Sequence, residues 1–74
     1  MTGVKVVEIA TSGGLCFYAC VGEGRLDSQA IVRAAWDMIR DGQPIEGRWG
    51  SVDSGRVATV RFNAGAVDFV QAVA

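Results

Sequence analysis

Residues 27–42, DSQAIVRAAWDMIRDG, decide the fold of this chain because they carry the pattern of an amphipathic helix. At 100° per residue, their apolar side chains fall in one continuous arc of about 200°. The members of this arc are Ala34, Met38, Ile31, Ala35, Ile39, Val32 and Trp36. The rest of the surface is polar, so the pattern predicts a helix with one wide apolar face.

Both ends of this helix are marked in the sequence. Asp27 or Ser28 can accept a hydrogen bond from a first-turn amide, Gly42 can adopt the left-handed conformation that ends a helix, and Pro44 prevents continuation. A helix lying on a sheet needs an apolar stripe only about 100° wide. Val32 and Trp36, at the margin of the wider arc, are therefore expected to serve a second contact.

The segment before the helix predicts a β-hairpin. Residues 4–10 and 15–21 are rich in apolar, β-branched and aromatic side chains and flank the turn sequence TSGG. Both faces of the second strand are apolar, so we expect a central strand with one face against the helix. The other face, with Cys16, Tyr18 and Cys20, needs a cover that so short a chain can hardly provide.

The segment after the helix predicts a second hairpin. Residues 45–52 form a weaker strand because Gly47 and Gly50 interrupt it, residues 53–55 form a turn, and residues 56–62 alternate with Phe62 facing inward. Residues 64–74 suit a strand or a helix capped by Asn63, and we favour the helix. The predicted fold is a single compact α+β domain over residues 1–74: a small antiparallel sheet, ββαββ plus a terminal helix or strand, with one amphipathic helix packed on one face.

Composition limits the classes of partner. Half of the 74 residues are apolar, and the formal charge of −1 gives no field that would attract a phosphate backbone, so nucleic acid is not expected as a partner. The N-terminus lacks the pattern of a secretory signal, and the longest apolar run, residues 15–21, is too short to cross a bilayer. We expect a cytoplasmic protein that does not bind membranes.

The two cysteines are four residues apart. In a strand their Cα atoms would lie about 13 Å apart, well beyond the roughly 7 Å that a disulfide requires. We interpret Cys16 and Cys20 as separate, buried thiols in a reducing compartment, and leave an intersubunit zinc or disulfide as the alternative. The chain has no histidine, and two thiolates alone do not complete a zinc site, so we predict no metal site.

No other pattern supports a catalytic or cofactor site. Residues 22–25, GEGR, could bind an anion, but the position where a dinucleotide fingerprint needs its third glycine is Asp27. The eight acidic residues show no spacing of a general acid and base pair. We therefore predict no catalytic residues, no cofactor and no enzymatic activity.

Tryptophan and arginine are enriched among residues that dominate protein interfaces. Trp49 and Arg48 lie between two glycines, so a partly exposed ring is expected there, although Trp49 could instead close the core. With Trp36 and Val32 they are the candidate interaction residues. We predict a non-enzymatic protein interaction module, a homodimer that also engages a larger partner protein; the alternatives are a small phage-type inhibitor that blocks a host enzyme and a small-molecule binding protein with an apolar pocket.

Overall fold

The structure, a computed structural model, describes residues 6–21 and 27–73. The segment with the glycine pattern considered above, residues 22–25, lies outside the described residues, as do the first two residues of the predicted first strand. The elements in chain order are β1 (Val6–Thr11), β2 (Cys16–Ala19), α1 (Ser28–Arg40), β3 (Ile45–Trp49), β4 (Arg56–Val60), a 3-10 turn (Ala64–Ala66) and β5 (Val67–Val73).

The strands form one sheet in the order β4-β3-β2-β1-β5, and every neighbouring pair is antiparallel. Helix α1 packs against one face of this sheet, mainly on β1 and β5. The predicted α+β fold and the central position of β2 are therefore confirmed.

The helix begins and ends at its predicted signals. The Asp27 side chain accepts a 2.7 Å hydrogen bond from the Ala30 amide, which caps the first turn. At the other end, Gly42 has a φ of 69°, and the Gln43 amide donates to the Met38 carbonyl at 3.0 Å. The side chains at the centre of the apolar arc, Ile31, Ala35 and Ile39, are buried against the sheet.

Three aromatic rings fill the part of the core on β2, β3 and the segment after β4. The centroid of the fully buried Phe17 ring lies 4.9 Å from that of Trp49 and 5.2 Å from that of Phe62. Both contacts are edge-to-face, the favourable geometry for aromatic pairs. This aromatic cluster of Phe17, Trp49 and Phe62 packs beside the buried aliphatic residues of the same core.

Gly47 of β3 lies directly beneath the Phe17 ring. A Cβ atom built on Gly47 would lie 2.7 Å from Phe17 Cε2 and would also collide with the carbonyl oxygen of Tyr18. The glycine that weakened the prediction of β3 therefore leaves the space that the Phe17 ring occupies beside this strand.

The prediction of a C-terminal helix was wrong, and the strand alternative is correct. Asn63 does cap a turn, since its side chain accepts from the Gly65 amide, but that turn is a single 3-10 turn and β5 follows it. β5 pairs with β1, and its register shifts so that Thr11 faces Val67 while Ala10 faces Phe69. Residues 67–73 thus form a strand because they pair with the edge of β1, although their own periodicity favoured a helix.

Candidate interaction surface

The sheet has a second face, opposite α1, on which none of the described elements packs. We call it the open face. Its middle row contains one residue from each strand, because the register aligns them across the sheet. From β5 to β4 the row is Gln71, Glu8, Tyr18, Arg48 and Val57.

Hydrogen bonds fix the carboxylate in this row. Gln71 Nε2 donates to Glu8 Oε1 at 2.5 Å, and the Tyr18 hydroxyl donates to Glu8 Oε2 at 2.6 Å. On the other side of Tyr18, Arg48 Nη1 donates to the Gly55 carbonyl at 3.0 Å. The row therefore holds one anion and one cation in defined positions on either side of a central tyrosine.

The hydrogen bonds also set the charge state of the row. The Tyr18 hydroxyl, followed by Gln71, lowers the pKa of Glu8 because both stabilise the carboxylate form. Glu8 therefore stays ionised at neutral pH. It lies on β1 and Arg48 on β3, two strand spacings apart, about 10 Å.

The titration of Tyr18 tests this arrangement. The hydrogen bond to Glu8 raises the pKa of Tyr18 from 10.0 to about 12, and Tyr18 is the only tyrosine of the chain. We expect phenolate absorbance at alkaline pH to show a midpoint near 12, and Glu8→Gln to move it towards 10. Since the pKa is higher in the folded than in the unfolded chain, the stabilisation is complete below pH 10 and is lost as the pH rises through about 12.

Circular dichroism recorded in parallel shows whether the fold persists during this titration. A midpoint near 10 in a folded wild-type protein would contradict the hydrogen bond. The matched control is Glu46→Gln, a carboxylate on β3 that lies in another row of the sheet.

Exposed apolar side chains lie at the β4 end of the middle row and in the neighbouring row on β5. Phe69 on β5 is 46% exposed and Val57 on β4 is 55% exposed, so the largest exposed apolar side chains of the strands lie on opposite edge strands. Beyond the middle row, a shallow depression of about 650 Å³ has among its lining residues Val6, Tyr18, Cys20, Arg48, Val57 and Val73. The open face thus combines a polar middle row with apolar side chains around it, and it also carries Glu46 and Thr59 in the next row on β3 and β4.

The cysteines lie on the open-face side of β2 and its end. Both are free thiols, as predicted, but the prediction that both are buried was wrong: Cys16 is half-buried and Cys20 is exposed. The physical reason is that none of the described elements covers this face. Burial, and then the nearby Glu8 carboxylate, raise the pKa of the Cys16 thiol, so it stays protonated at neutral pH.

Arg48 and Trp49 do not form one patch. They are neighbours on β3, so their side chains point to opposite faces of the sheet. Arg48 lies in the middle row of the open face, whereas Trp49 is half-buried in the aromatic cluster on the helix side.

Trp36 and Val32 lie neither on the open face nor in the aromatic cluster. They line a shallow groove between α1 and β5. The groove has a volume of about 580 Å³, and Arg33, Arg40 and Ala72 also line it. Both apolar residues are half-buried. The structure thus brings Trp36 together with Val32 and separates this pair from Arg48 and from Trp49.

Sequence reasoning missed the open-face contributions of Glu8, Gln71, Val57 and Phe69. Strand alternation could have placed Glu8 and Val57 on the face of Tyr18. The positions of Gln71 and Phe69 required β5, which was predicted as a helix. The register between β1 and β5 is the information that the local pattern lacked.

Within residues 6–21 and 27–73, no group of three or more His, Cys, Asp or Glu side chains is arranged to hold a metal ion. The helix in this part of the chain is too short and too polar to span a membrane. Comparison of the chain with models of known protein families, with curated proteins and with solved structures finds no match.

Proposed function

We propose that this protein is an interaction module that associates with a second copy of itself through the open face of its sheet. The observation that carries the proposal is the open face, on which none of the described elements packs and which displays Phe69 and Val57 on opposite edges. Sheets generally bury an apolar face against another layer. A second copy would supply that layer.

The size of the face indicates the strength of this association. Five strands about 4.8 Å apart and about five residues long cover roughly 400 Å² of flat area in each copy. Two copies would bury about 800 Å² by this measure, below the roughly 1,200 Å² at which stable specific interfaces begin and in the range of weak, transient contacts. We therefore expect a reversible dimer with a dissociation constant in the micromolar range.

A larger partner protein would meet the opposite side of the molecule. The groove between α1 and β5 supports this second part of the proposal, because Val32 and Trp36 line it and neither is needed for the centre of the core. Tryptophan in a partly exposed groove is a typical anchor residue of protein interfaces. The groove and the open face share Gln71, at the β5 end of the middle row. Dimerisation would therefore leave accessible only the helix side of the groove, where Val32 and Trp36 lie.

Light scattering over a concentration series tests the dimer. We expect the wild-type mass to rise from one towards two copies with concentration, and Phe69→Lys to weaken dimerisation at least about tenfold, because a charge would be buried in the interface. The matched control is Leu15→Lys. Leu15 is 60% exposed but lies in the β1–β2 connection, outside the open face.

Two outcomes would contradict the proposal. A wild-type protein that remains monomeric at all concentrations would exclude self-association. Equal weakening by Leu15→Lys and Phe69→Lys would show that the dimer does not use the open face. Circular dichroism of each variant confirms that the comparison is made between folded proteins.

A further inference from the structure

We infer that two copies pack face to face about a two-fold axis parallel to β2, so that Glu8 of each copy pairs with Arg48 of the other. This inference rests on the proposed function and specifies the geometry of its dimer. Its basis is the position of the two charges, which lie on either side of Tyr18 in the same row.

The symmetry argument starts from the strand order. β2 is the middle strand, with β1 and β5 on one side and β3 and β4 on the other. A two-fold axis along β2 exchanges these two sides but preserves the height along the strands. β1 of one copy therefore faces β3 of the other, and the Glu8 carboxylate meets the Arg48 guanidinium twice, once in each direction.

The same operation brings the exposed apolar side chains together. It places β5 of one copy over β4 of the other, and these edge strands carry Phe69 and Val57. Phe69 pairs with Ala10, which lies two residues after Glu8 on β1. Phe69 is therefore offset from Val57 of the second copy by about 7 Å along the strands. An aromatic side chain can bridge this distance.

The other in-plane axis gives an unfavourable match. A two-fold axis across the strands through Tyr18 would preserve the strand positions, so Glu8 would face Glu8 and Arg48 would face Arg48. Like charges directly opposite one another destabilise sheet contacts. The charges of the middle row therefore distinguish between two arrangements that bury the same face.

Glu8 is also prepared for burial in such an interface. Burying an ion pair is costly unless further hydrogen bonds satisfy the charged groups. Tyr18 and Gln71 already donate to the two carboxylate oxygens of Glu8. The ion pair would accordingly set the orientation of the two copies, while the apolar contacts supply most of the affinity.

Charge reversal tests the axis. We expect Glu8→Lys and Arg48→Glu each to weaken self-association at least about tenfold, because each variant alone places like charges at both contacts. An equimolar mixture of the two variants should dimerise within about threefold of the wild type, since opposite charges then meet at both contacts. The double variant should also dimerise. Sedimentation velocity measures the dissociation constant of each single variant, of their mixture and of the double variant.

Matched controls make the same charge changes on the outer face of α1. Asp37 and Arg33 are exposed there, so Asp37→Lys and Arg33→Glu should leave dimerisation unchanged. If Glu8→Lys does not fold, the neutral variants Glu8→Gln and Arg48→Gln form a double-mutant cycle. The inference then requires that the double variant loses little more affinity than either single variant.

The outcomes separate this inference from the proposed function. A monomeric wild type contradicts the function itself. A wild-type dimer that charge reversal weakens but the mixture does not restore contradicts the axis along β2 and leaves the module intact. Preferential pairing of Glu8→Lys with the wild type would instead identify the axis across the strands.

Discussion

Gly47→Ala is expected to destabilise the fold by about 3 kcal/mol, because the added methyl group has no space beneath Phe17. The new Cβ atom would lie 2.7 Å from the ring and would overlap the Tyr18 carbonyl oxygen. The ring cannot move away easily, since Trp49 and Phe62 contact it by their edges and faces. Strand propensity alone gives the opposite sign, a gain of about 0.5 to 1 kcal/mol when alanine replaces glycine.

Urea denaturation followed by circular dichroism measures this effect. A domain of this size has a total stability of roughly 4 to 11 kcal/mol, so the expected loss is a large part of it. The matched control is Gly13→Ala in the β1–β2 turn, where the nearest atom to an added Cβ, Thr11 Oγ1, is 3.9 Å away. A Gly47→Ala protein as stable as this control would show that Phe17 can repack.

Trp49→Ala is expected to cost about 3 kcal/mol of stability, because it removes a large ring from the aromatic cluster. The Trp49 centroid lies 4.9 Å from Phe17 and 6.1 Å from Phe62, so both remaining rings lose a neighbour. The sequence allowed two roles for Trp49, an exposed interface anchor and a core residue. The aromatic contacts favour the core role.

Urea denaturation of two Trp49 variants tests the core role. Trp49→Phe retains a ring and should lose about 1 kcal/mol, well below the loss expected for alanine. A Trp49→Ala protein as stable as the wild type would contradict the core role of this ring. Far-UV circular dichroism shows whether each variant folds, and the urea midpoint gives the loss of stability.

The local pattern was sufficient wherever a segment determines its own structure. The helix has an apolar arc, an N-cap at Asp27 and a glycine at position 42, and each of these signals acts within a few residues. The first hairpin also depends on local signals, because a short turn joins β1 to β2. Alternation also placed Phe62 inward correctly.

The last segment could not be predicted from its own pattern. Val67 and Val70 both pack against the core although they are three residues apart, a spacing typical of a helix. The register shift of β5 explains this, since it inserts Asp68 between two regular stretches of pairing. Only the partner strand β1, some sixty residues earlier, makes such a spacing compatible with a sheet.

The candidate surface was predicted in part. Alternation along β2 identified the face of Cys16 and Tyr18 as one that needs a cover, and that face is the open face. The structure separates Arg48 from Trp49, because adjacent residues of a strand point in opposite directions. Register between strands brought Arg48 into the same row as Glu8, and register is not a local property.

The pairing of β1 with β5 has a consequence for how the chain folds. Among the described strands, β1 is translated first and its second neighbour in the sheet, β5, is translated last, and α1 packs mainly on these two strands. The helix therefore lacks most of its docking surface until residues 67–73 have left the ribosome. Closing so long a loop is slow compared with forming a hairpin, so β5 is expected to join after the other strands.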